Sequence, residues 1–414
     1  MLLSYWIEPC FPLAWLMTTQ QSFRPSLFRS FWMGGFESAC HITRAGMRLD
    51  MLEATQHDRF VAEDYARCRE MRIETVRDTV RWHRIETAPG RFDFSSLAPY
   101  VRAAREHDME IVWDLLHYGW PTDIDIFSPA FIDRFARFCK AVAEYLKNEM
   151  DGTPFYTPIN EVSFFAWAAG EVGWFHPFAQ HRGGELKAQL VRAWIAAVDA
   201  LKAVDSRVRI VSVEPLIHTV PPRGKADVDG LAAAQRASQW EAWDMIAGSR
   251  NPELGGAPAY LDIVGVNFYH DNQWEVPGGE KIHWHIHPRD PRWVPFHLLL
   301  KEAYERYRRP ILIGETSHVG EGRAEWIREM TDEVLLAITA GVPLEGICLY
   351  PIIDRFEWEN PAHWHNSGLW DFRHLPDGTF ERVLNADYAA ELRRSQMRLA
   401  AVGFGTVEPR EATA

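Results

Sequence analysis

Two glutamates carry the strongest chemical signal in this chain. Glu161 lies in TPINEV and Glu315 in PILIGETS, and each closes a short apolar run that reads as a buried strand. Breaking the acetal link between a sugar and its neighbour needs one carboxylic acid to protonate the departing oxygen. It also needs a second carboxylate to attack the anomeric carbon or to activate water there. The two glutamates are about 150 residues apart, so only a fold that returns strand after strand to one end of a closed sheet can bring them together. A single strand-end glutamate is more often an ion-pair partner or a helix cap, so the reading rests on the pair and its polar neighbours.

Those neighbours fall at corresponding places. Short apolar runs predict strands at 31–35, 75–80, 110–116, 155–160, 209–213, 263–269, 311–314 and 346–350. Amphipathic stretches predict helices at 62–71, 97–107, 129–148, 186–204, 231–246, 295–308, 325–340 and 386–401. Strict alternation of this kind implies parallel strands joined by crossover helices, and eight units are the number that closes a (β/α)8 TIM barrel. Arg77, His117, Asn160, Asn267 and Tyr269 join the two glutamates within or just past the C-terminal ends of the strands, where barrels of this type build their sites. No linker or repeat divides the chain. We expect one catalytic domain over 29–405, an N-terminal extension at 1–28 and a tail at 406–414.

Composition narrows the partners. A formal net charge of −13 argues against nucleic acid or an anionic membrane surface, both of which favour basic patches. Eighteen tryptophans suit either stacking on sugar rings or filling a core. The five cysteines are scattered, odd in number and without C-x-x-C spacing, so neither a disulfide framework nor a zinc site is implied and a cytoplasmic location is expected. The opening MLLSYWIEPCFPLAWLM is apolar, but it has no Lys or Arg before Arg24 and carries Glu8 and two prolines. It therefore reads as an extension rather than a signal peptide, and it is too short and interrupted to span a bilayer.

Seven segments, in order, make the chain resemble glycoside hydrolase family 1, the β-glucosidase-like barrel glycosidases. They are FWMGGFESACHI, DTVRW with Arg77 before it, LLHYGWP, TPINEV, GVNFYH, IGETS and DRFEWENPAHWHNSGLWDF. The resemblance implies Glu161 as acid/base and Glu315 as nucleophile, with Arg77, Asn267 and Tyr269 positioning the nucleophile. It further implies Asn160 on the sugar 2-hydroxyl, His117 on the 3-hydroxyl, and Glu357 with Trp358 around the 4- and 6-hydroxyls. Departures fall at the sugar-reading wall: His41 stands where the family has glutamine, and Tyr350 where it has tryptophan. An imidazole replaces one amide hydrogen bond but not donor and acceptor in one plane, so a sugar other than glucose is expected.

Two aromatic segments leave alternatives open. In KIHWHIH an extended backbone would put His283, His285 and His287 on one side, as a metal triad would need. The segment reads equally as a loop over the mouth, with Trp274 and Trp284 as stacking surfaces, or as plain packing. In AAGEVGWFHPF, Trp174 and Phe175 would form a leaving-group site or a cover over the barrel rim. No metal or cofactor is required. The expected activity is that of a retaining exo-β-glycosidase acting on a small-molecule β-glycoside or oligosaccharide. A transglycosidase would use the same two glutamates, and a non-catalytic sugar-binding barrel would be expected to lack one of them.

Overall fold

A computed structural model describes residues 27–403, apart from 228, 229 and 361. The barrel strands are β1 (Trp32–Gly35), β2 (Thr75–Thr79), β3 (Glu110–Asp114), β4 (Phe155–Thr157), β5 (Arg209–Pro215), β6 (Ile263–Asn267), β7 (Ile311–Thr316) and β8 (Leu344–Leu349). They close in the order β1-β8-β7-β6-β5-β4-β3-β2, every neighbouring pair parallel. The crossovers contain α1 (His57–Glu70), α2 (Ala98–Glu106), α3 (Pro129–Glu149), α4 (Gly183–Val204), α5 (Leu231–Ser238), α6 (Phe296–Tyr307) and α7 (Arg323–Thr339), and α8 (Ala386–Ala401) follows β8. This is the (β/α)8 TIM barrel that the alternation predicts. One predicted helix is divided: 231–246 is broken at Gln239 and Trp240 into α5 and a short helix, Glu241–Ile246.

Period-two alternation sorts the strand side chains into two layers. Met33, Val112, Phe155, Val211, Val213, Ile263 and Leu312 fill the lumen, whereas Ile111, Trp113, Ile210, Ile311 and Ile313 pack outward in the larger core shared with the helices. Phe28, just before β1, belongs to the lumen cluster and lies 4.7 Å from the Phe155 ring. The lumen is therefore a packed core, and its buried polar side chains gather at the C-terminal ends of the strands.

Glu315 reaches that end because β7 is irregular. Leu312 points in and Ile313 out, so a regular strand would turn Glu315 outward as well. The register instead slips between Ile313 and Glu315, and Glu315 rather than Gly314 pairs with Asn267 of β6. Only glycine fits the slip, since a Cβ on Gly314 would sit 2.9 Å from Asn267 Oδ1 and Val213 Cγ1. Among the described residues no helix is long and apolar enough to cross a membrane, and Cys40, Cys68, Cys139 and Cys348 are buried free thiols.

Candidate active site

Arg77 organises the upper end of the lumen. Fully buried, it donates from Nη1 to Glu315 Oε1 (3.0 Å) and the Gly314 carbonyl (2.8 Å). From Nη2 it donates to Asp114 Oδ2 (2.8 Å) and Asn160 Oδ1 (3.1 Å). Four acceptors from β3, β7 and the segment after β4 thus share one planar fork, which a lysine could not reproduce. The other carboxylate oxygen of Glu315 accepts from the Tyr269 hydroxyl at 2.7 Å.

Glu161 sits in a different chemical setting. Its Oε2 accepts from the Tyr118 hydroxyl (2.9 Å) and its Oε1 from the Asn267 amide (2.8 Å). Both donors are neutral, and among the described residues no cation is hydrogen-bonded to Glu161. Burial first, and the neighbouring charge of Glu315 second, push its carboxyl up to about 8. Burial pushes Glu315 up too, but Arg77, His117 and the Tyr269 hydroxyl pull against it. Burial wins at Glu315 as well, so both carboxyls lie above their ordinary value, but the one touching the cation is the easier to ionise.

Backbone geometry aims Glu161. After β4 the chain reaches Glu161 in the left-handed region, φ 45° and ψ 63°, at the start of the short helix Val162–Phe165. A side chain there costs roughly 1–2 kcal/mol, which the surroundings must offset. Main-chain bonds on both sides hold it: Asn160 N donates to the Leu116 carbonyl and Glu161 N to the Val213 carbonyl, each at 3.0 Å.

The remaining predicted residues form walls around this pair. His117 shares Asp114 Oδ2 through Nδ1 (3.1 Å), and its Nε2 lies 3.3 Å from the Asn160 amide nitrogen. Burial alone would raise Asp114, but Arg77 and His117 outweigh it and hold that carboxyl below its ordinary value. The Tyr350 ring lies parallel to His117 at 6.2 Å and beneath the Arg77 guanidinium at 5.4 Å, and its hydroxyl accepts from Ser38 N. His41 is buried between the rings of Phe175 (4.6 Å) and Trp358 (4.9 Å). Burial, then His117 and Arg48, lower it to about 4, so it is a neutral imidazole. Its Nδ1 and the Trp358 indole nitrogen have no protein partner among the described residues. Glu357 is more open, with 39% of its side chain exposed and His365 3.9 Å away.

Several expectations are corrected. Asn267, expected to steady the nucleophile, pairs with Glu315 in backbone register but gives its amide to Glu161. Phe175 is buried against His41 and Tyr118, which fits a cover over the rim rather than a leaving-group face. Trp174 is partly exposed, and its indole donates to Glu359. Trp284 is only 4% exposed and packs against Trp326 at 5.2 Å, so it is no stacking surface over the mouth. His283, His285 and His287 are exposed around it. Sequence reading missed Asp114 and Tyr118. Asp114 stands three residues before His117 with lumen-facing parity, and Tyr118 lies inside LLHYGWP, so both carried a usable signal.

Among solved structures the chain is similar to a family 1 β-glucosidase from Thermotoga maritima, at 15% identity and a TM-score of 0.71, covering 92% of this chain and 99% of that one. It is also similar to the β-glucosidase of that organism in complex with glucoimidazole, at 17% identity and 0.68, covering 85% of this chain and 88% of that one. The same protein in complex with castanospermine gives 16% and 0.68, with 92% and 99% covered. At these identities the likeness shows the fold alone, a (β/α)8 barrel. No family model matches the sequence, and no curated protein matches it.

Proposed function

We propose that the chain is a retaining exo-β-glycosidase, a divergent member of glycoside hydrolase family 1. The observation that carries this reading is the asymmetry of the carboxyl pair: Glu315 lies against Arg77, whereas Glu161 has only neutral donors. In the first step a Glu315 oxygen attacks the anomeric carbon. The bond to the leaving oxygen breaks with its electron pair, and that oxygen takes the Glu161 proton. In the second, water gives a proton to Glu161 and its oxygen displaces the Glu315 carboxylate, so the product keeps the β configuration. Asn160, His117, His41, Tyr350, Glu357 and Trp358 read the sugar, and Trp174 borders the leaving-group side. The buried, protein-unpaired nitrogens of His41 and Trp358 support that assignment. The wall of imidazoles and a phenol suits a sugar other than glucose.

A panel of aryl β-glycosides (glucoside, galactoside, fucoside, mannoside, xyloside, glucuronide) tests the proposal. At least one is hydrolysed, and proton NMR of the first-formed sugar detects the β anomer. The general acid must be protonated and the nucleophile ionised, so kcat/KM falls on both sides, with the alkaline limb near pH 8 where Glu161 loses its proton. An α anomer as first product, or no turnover across the panel, would overturn the reading.

A further inference from the structure

A third buried carboxyl stands behind the acid. Glu214 on β5 is 1% exposed, and its neighbour Val213 fills the lumen, so alternation turns Glu214 toward the helix that begins after Glu161. There its Oε2 accepts from Ser163 N at 2.9 Å. The preceding residue, Val213, accepts from Glu161 N at 3.0 Å. Two hydrogen bonds from adjacent residues of one strand therefore bracket Glu161, one on each side of its left-handed turn. Resting on the glycosidase reading above, we propose that Glu214 is a positioning residue for Glu161: it fixes the peptide that carries the acid and, when ionised, keeps the acid's proton in place.

The electrostatics around both groups are one-sided. Glu161 is bordered by Glu315, Glu214, the Asn267 amide and the Tyr118 hydroxyl. Glu214 is bordered by Ser163, by the backbone of Val162 and by Lys187 of α4. Lys187 is already paired with Glu241 at 2.7 Å. Burial pushes Glu214 up to about 7, so it ionises over the interval in which Glu161, at about 8, still holds its proton. A negative charge arriving beside a protonated acid disfavours a second charge and delays the acid's own ionisation. This extends the working range of the acid toward alkaline pH.

Two substitutions separate position from charge. Glu214→Gln keeps an oxygen for Ser163 N and removes the charge, whereas Glu214→Ala removes both. Glu214→Ala lowers kcat more for a glycoside with a poor leaving group, which needs the acid, than for one with a good leaving group. Glu214→Gln recovers most of that loss but moves the alkaline limb of kcat/KM down by about half a pH unit or more. Carbon-13 NMR of the glutamate carboxyls, with Glu161 assigned by Glu161→Gln, follows the same shift directly and needs no turnover. Inactivity of the unmodified protein would count against the glycosidase reading alone. An alkaline limb or a Glu161 titration unmoved in Glu214→Gln would overturn the role of Glu214.

Discussion

In Glu315→Ala, hydrolysis of an aryl β-glycoside falls by about 10⁴-fold or more, the scale expected when a covalent nucleophile is removed and no other group can take its place. The substitution also removes the acceptor shared by Arg77 and Tyr269. The freed guanidinium then borders the space vacated by the carboxylate, and a small anion such as azide is electrostatically welcome there. Added azide therefore restores turnover of a substrate with a good leaving group. Because it enters from the side of the missing carboxylate, the product is the α-glycosyl azide. The corresponding experiment with Glu161→Ala gives the β-glycosyl azide, since azide then replaces the base-assisted water on the opposite face. The product pair checks both assignments together. Full activity in Glu315→Ala, or a β product on rescue, would remove Glu315 from the role of nucleophile.

Arg77→Met has the largest expected effect on the fold itself. The guanidinium is the hydrogen-bonded cation shared by Asp114 and Glu315, both nearly inaccessible to solvent. Removing one member of a buried ionic cluster leaves the others without compensation, at a cost of about 3–5 kcal/mol. The abandoned carboxyls escape part of that cost by taking up protons, and a protonated Glu315 cannot attack. Activity and stability therefore fall together, and the acid limb of whatever activity persists moves to higher pH. Urea unfolding and a pH–rate profile measure both, and Arg77→Lys serves as the control. A lysine keeps the charge but cannot meet four acceptors in a plane, so it recovers stability better than activity. Unchanged unfolding in Arg77→Met would mean that the cluster is not held by this residue.

The barrel was legible because its strands are short apolar runs bounded by breakers, and the closed fold follows from their alternation with helices. The meeting of Glu161 and Glu315 at one end follows from the same pattern. What escaped was set by local backbone geometry. The slip at Gly314 depends on the close approach of Asn267 and Val213, which no single-strand pattern contains. Asn267, placed beside the nucleophile by the family resemblance, instead reaches past β5 to the residue that follows β4. Tyr118 adopts a positive φ of 67°, which takes it out of strand alternation and toward Glu161. Glu214 points outward by parity and so reads as packing, and its relevance depends on the turn at Glu161. Trp284 and its flanking histidines looked like a mouth loop from composition, but burial selects the tryptophan and leaves the histidines outside.

The burial of Glu161 and Glu214 without a partnering arginine makes the native barrel a store of protons. Below about pH 4.5, the ordinary glutamate value, folded and unfolded chains both hold them. As pH rises from there, the unfolded chain releases its protons, while native Glu214 and Glu161 keep theirs until about 7 and 8. Over that interval the native state binds more protons than the unfolded one, so by linkage these groups favour unfolding progressively, and above about 8 their contribution levels off. The arrangement that keeps Glu161 and Glu214 protonated therefore draws on the stability of the fold most heavily at alkaline pH.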